Sequence, residues 1–191
     1  MTIETFKARL TGTSPILMHN GRLANPRDEW SKQLSAVSKG KAKDLIKAAR
    51  IEFLGSLYLD KKNEPCIPVD NVLAAVIEGA RAFKMGKQAA AGIYDLPEHP
   101  HFPLVYKGPR DVEKLYELDD FIDSRGVRVQ QSRITRTRPI FRGWSLVAKL
   151  EFDSTLMPRD SITLALERAG KAIGIGDYRP RYGRFTVEVL P

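Results

Sequence analysis

Between Gly170 and Arg184 the chain gathers four glycines (170, 174, 176 and 183), three arginines (179, 181 and 184) and two tyrosines (178 and 182). Glycine admits positive φ and close backbone approach. Amides exposed in such a loop cradle phosphate oxygens. Arginine neutralises phosphate charge, and a tyrosine ring stacks on a base. A second reading stands beside this one: a loop that packs a helix on a sheet, with its arginines solvated. The stretch is not a Walker A loop, because GxxxxGK[ST] is absent. It is not a dinucleotide fingerprint either, because it follows a predicted helix and precedes a predicted strand.

A second basic feature lies upstream. From Arg125 to Arg142 the chain holds six arginines (125, 128, 133, 136, 138 and 142) and no acid, whereas 111–123 carries six acids against one lysine. Alternation over 127–138 places Val127, Val129 and Gln131 with Arg133 and the threonines on one face. Arg128, Gln130, Ser132, Ile134, Arg136 and Arg138 fall on the other. A strand face of Arg and Gln suits contact with an RNA or single-stranded DNA backbone irrespective of sequence. The other reading is an edge strand guarded against aggregation. Lys39, Lys41 and Lys43 are read as a solvated loop.

The remaining chemistry is sparse. His99 and His101 form a His-Pro-His pair with no third ligand at metal spacing, so no metal site is assigned. Asp70 is read as a helix cap, and the acids at 117–123 as an acidic helix surface. No nucleophile–base arrangement is recognisable and no cofactor is implied. Cys66 is the single cysteine, which fits a reducing compartment. The amino terminus does not read as a signal peptide and no apolar run is long enough for a membrane span, so a cytoplasmic location is expected.

The elements that must position these groups follow from periodicity. Residues 3–12 alternate as a half-buried strand. Residues 27–54 are helix-forming, and 55–68 reads as a short hairpin around DKKNE. Val69 to Lys84 is the clearest helix. Residues 86–123 read as an irregular insertion. Residues 127–138 are expected as one strand that Pro139 ends, followed by a strand through 141–153. A helix over 158–172, capped by Asp160 or Ser161, leads into the glycine loop and a last strand. The expected class is α+β: one domain over 1–191, with a ferredoxin-like (RRM-like) antiparallel sheet, helices on one face, and the insertion.

Three patches resemble the RAMP superfamily, the RNA-binding subunits of CRISPR effector complexes. AGKAIGIGDYRPRYGRFTVEV resembles the family's glycine-rich loop. Gly174 and Gly176 match its first half and Gly183 its second, with Arg184 where the family has another glycine. PCIPVDNVLAAVIEGARAFK resembles the hairpin-to-helix segment through Pro68, Leu73 and Gly79–Arg81. LTGTSPILMHNG resembles the first strand and its turn. Together they cover about a third of the chain. The resemblance is to the backbone subunits that coat guide RNA. It implies a ferredoxin-like fold with insertions, RNA contact by the closing loop, with Arg81 or Lys84 reaching the strand, and self-association along RNA in which 86–123 touches a neighbour. It also implies other CRISPR effector subunits as partners. Two alternatives accompany it. Related endoribonucleases cleave RNA without metal, using a histidine, for which His19 with Tyr178 is the candidate. A phage protein could instead mimic such a subunit and bind the host complex.

Overall fold

A computed structural model describes residues 1–39, 44–129 and 132–191, and side chains outside 38–43 and 128–133. The lysines at 39, 41 and 43, with Arg128, Gln130, Gln131 and Arg133, therefore lie outside the described side chains. In chain order the elements are β1 (Ile3–Gly12), β2 (Ile16–Leu17), a 3-10 turn (Gly21–Ala24), α1 (Glu29–Lys39), α2 (Leu45–Ser56), β3 (Cys66–Pro68), α3 (Val69–Arg81), α4 (Gly86–Gly92), β4 (Ile93–Tyr94), β5 (His101–Pro103), α5 (Val112–Tyr116), a second 3-10 turn (Asp119–Phe121), β6 (Ile122–Val129), β7 (Ser132–Phe141), β8 (Ser145–Asp153), α6 (Arg159–Ala172) and β9 (Phe185–Val189). The class is α+β with antiparallel sheets. Among the described residues no helix is long and apolar enough to cross a membrane.

The chain divides into two compact units. The first comprises Met1–Ile16, Cys66–Lys107 and Arg142–Pro191. Its sheet has the order β4-β8-β1-β9, every neighbour antiparallel. The alternation in β1 sets its faces: Phe6, Ala8 and Leu10 are buried opposite Leu150, Ala148 and Leu146. The intervening Thr5, Lys7, Arg9 and Thr11 are exposed, and Arg9 pairs with Glu188 of β9 at 2.7 Å. The buried side chains of α3 (Val72, Val76) and α6 (Ile162, Leu166) complete this core. The two helices approach closely at Gly79, where a Cβ would come within 2.0 Å of the Ala165 carbonyl oxygen. A separate ladder pairs β3 with β5.

The second unit comprises Leu17–Pro65 and Gly108–Phe141. It contains the β6–β7 hairpin, α1, α2 and α5. Phe53 packs on Tyr116 with ring centroids 5.2 Å apart, and Phe121 on Phe141 at 5.8 Å.

Several local expectations are corrected. The 127–138 stretch is not one strand: 127–129 ends β6, and β7 runs on through Pro139, which stands opposite Ile122. The sequence from Gln130 to Arg133 is all polar, so the period alone does not reveal the turn. The 55–68 hairpin reduces to a bridge between Leu59 and Pro65. The Asp60 carboxylate holds its turn by accepting from the Lys62 and Glu64 amides, and β3 pairs with β5 instead. Neither long helix of the first unit has a side-chain cap. Pro68 and Pro158 hold the N-cap positions, and Asp70 and Asp160 lie in the first turns. There each carboxylate faces the positive end of the helix dipole. The stretch 86–123 divides: residues up to 107, with α4, β4 and β5, belong to the first unit, and the rest to the second.

Candidate nucleic-acid interface

The closing loop joins α6 to β9 in the first unit. Its glycines take φ values only glycine adopts readily: +78° at Gly174, +81° at Gly176 and +73° at Gly183. The reason is packing. A Cβ on Gly183 would sit 1.7 Å from the Ile175 carbonyl oxygen, and one on Gly174 2.7 Å from that of Tyr182. Two parts of the loop are therefore zipped together, and the Ile175 amide donates to the Gly183 carbonyl at 2.9 Å. The Gly183 amide donates to Pro15, the Gly174 amide to Ala169, and the Arg184 amide to the Ser14 hydroxyl at 3.0 Å. The Thr13 amide returns a bond to the Arg184 carbonyl at 2.8 Å. The four loop amides, those of Gly174, Ile175, Gly183 and Arg184, are spent inside the protein. The glycines at 174 and 183 make a scaffold rather than a phosphate cradle.

The scaffold presents side chains. Arg179, Arg181 and Arg184 are all exposed and take part in no ion pair among the described residues. Tyr178, 45% exposed, has φ of +60°, a left-handed conformation uncommon for a bulky residue. Its ring packs edge-on against Tyr182 with centroids 6.2 Å apart. A rigid turn thus carries three solvated guanidinium groups around an aromatic pair.

The arginine block is arranged differently. In the β6–β7 register, Asp123 stands opposite Arg138 and Arg125 opposite Arg136. Arg125 is ion-paired to Asp123. Arg136 donates from Nη1 to Glu52 Oε1 at 2.6 Å, and the other Glu52 oxygen accepts from the Thr137 amide at 2.8 Å. Arg138 is buried. Arg125, Arg136 and Arg138, three of the four block arginines with described side chains, thus belong to the second unit; Asp123 pairs with Arg125 and Glu52 of α2 with Arg136, while Arg138 is buried. Arg142 is exposed and belongs to the first unit. Sequence reasoning missed Glu52, because its partner lies 84 residues away. A glutamate among Ile51, Phe53 and Leu54 on a buried helix stretch was the available signal.

His19 is half-buried in the second unit, its Nδ1 3.4 Å from the buried Ser56 hydroxyl, while its carbonyl accepts from the Tyr58 hydroxyl. Tyr178 belongs to the first unit. Among the described residues no group of three or more His, Cys, Asp or Glu is placed to hold a metal. Arg81 is paired with Glu78 on α3, and Lys84 is exposed beyond that helix. No protein-family model matches the chain, and neither does any curated protein.

Proposed function

We propose that this protein binds single-stranded RNA irrespective of sequence, through its closing loop, and that copies coat the RNA side by side. The observation that carries the reading is the exposed triplet Arg179, Arg181 and Arg184 on a loop whose backbone is fixed by its own hydrogen bonds. A backbone already fixed need not be ordered when its arginines meet a phosphate chain, and counterion release supplies the affinity. Tyr178 and Tyr182 offer stacking faces that any base can use.

The sheet order supports the same reading. With α3 leading from β1 towards β4, and α6 linking β8 to β9, the order β4-β8-β1-β9 supports a ferredoxin-like reading of the sheet. That is the fold implied by the resemblance to RAMP proteins, which also suggests CRISPR effector subunits as partners. In this account the β6–β7 arginines stabilise the second unit, and no catalysis is assigned.

The test is the absorbance ratio at 260 and 280 nm of the purified protein on a sizing column. The expected result is an early, large peak with a high ratio that nuclease collapses to monomer. A monomer free of nucleic acid overturns the coating reading.

A further inference from the structure

Beside the loop, between the outer side of α3 and the end of α6, lies a surface hollow of about 630 Å³. Ala74, Ala172 and Ile173 give its lining an apolar part, and Tyr178 and Arg179 line it from the loop. It also contains two carboxylates, Glu78 and Asp177. Carboxylates repel phosphate, so this part of an otherwise basic surface is unsuited to the RNA backbone. They suit a group that presents hydrogen-bond donors.

We infer that the hollow takes a single nucleobase, and that it prefers guanine. This deepens the RNA-binding reading and rests on it for the origin of the base. Guanine alone among the four bases carries two adjacent donors, N1–H and the 2-amino group, on its pairing edge. A carboxylate accepts both at once, as acidic side chains accept from base amino groups in direct readout. The Tyr178 ring supplies a stacking face, and Arg179 at the rim meets the adjoining phosphate. Glu78 is held by Arg81 three residues on, in a pair whose side chains are 47% and 65% exposed. Such exposed helix pairs contribute little, so Glu78 can exchange Arg81 for a base at small loss. Coating is then indifferent to sequence except at one nucleotide per copy.

The test compares short oligouridylates that carry one guanosine or one inosine, which lacks the 2-amino group. Guanosine is expected to bind about tenfold more tightly than inosine, as loss of one donor from a bidentate contact predicts. Glu78→Gln should erase that preference while plain oligouridylate binding stays unchanged. Equal affinity for the two oligomers, or a preference that survives Glu78→Gln, overturns the inference. Guanosine and inosine monophosphates, titrated alone against tyrosine fluorescence, read the hollow without any coating. If oligouridylate fails to bind, the coating reading fails, and the monophosphate comparison still decides the pocket.

Discussion

Replacing Glu52 with alanine tests whether the arginine block belongs to the fold. Glu52 is 4% exposed, and its two oxygens serve two partners on β7: the Arg136 guanidinium at 2.6 Å and the Thr137 amide at 2.8 Å. Alanine orphans the buried Thr137 amide, which costs about 1–3 kcal/mol. Loss of the pair adds less than a fully buried bridge would, because Arg136 is 30% exposed and water solvates it once released. The expected destabilisation is therefore about 2–4 kcal/mol, below the upper range for breaking a wholly buried pair. Arg136→Ala leaves the Glu52 charge buried with only an amide, so the two single changes overlap. The double variant should be less destabilised than the sum of the singles by about 1 kcal/mol or more. Urea unfolding followed by tryptophan fluorescence and by circular dichroism reads all four proteins, with the two probes compared because two compact units need not unfold together. A Glu52→Ala protein within about 0.5 kcal/mol of the parent, in the range of ordinary surface changes, would refute the reasoning.

Three further outcomes follow from the same structure. Gly183→Ala forces a Cβ against the Ile175 carbonyl at positive φ and should lower stability by about 2 kcal/mol or more, whereas Gly126→Ala, with open space around it, should leave the melting temperature unchanged or slightly raised. Asp153 accepts from the Thr155 hydroxyl at 2.7 Å and from the Thr155 and Thr2 amides, and these bonds hold its carboxyl below the usual carboxylate range. Its contribution is then complete above the unfolded value of about 3.9 and is lost as pH falls through the lower folded value, so Asp153→Asn should show a smaller fall in stability between neutral and strongly acid pH than the parent. Trp144→Phe removes the bond from Nε1 to the Ser14 carbonyl at 2.8 Å and should destabilise by about 1–3 kcal/mol in thermal melts.

Local periodicity made part of the fold readable. The β1 strand occupies the expected 3–12, and α3 and α6 start within one residue of their expected starts. The caps were misread because both helices begin behind a proline, and an aspartate two residues later resembles a cap in sequence while serving the first turn. The β6–β7 reversal was missed because no glycine–asparagine pair marks it. What sequence could not supply was pairing at a distance. The block holds no acid of its own between Arg125 and Arg142, and the acid that meets Arg136 is Glu52 of α2, far away in the chain. The loop glycines looked like a phosphate cradle because the acceptor for Gly183, the Pro15 carbonyl, lies at the other end of the chain. The loop arginines are exposed and Tyr182 is half-buried, and their roles rest on the proposed RNA contact.

The most direct test of RNA binding through the closing loop is the salt dependence of affinity for a single-stranded oligouridylate. The parent would be compared with a variant carrying Arg179→Gln, Arg181→Gln and Arg184→Gln. At about 0.7 per neutralised phosphate on a single strand, three arginines should flatten the slope of log affinity against log salt by about 2, and Arg136→Gln should leave it unchanged. An unaltered slope in the triple variant, or an equal loss from Arg136→Gln, would contradict the account.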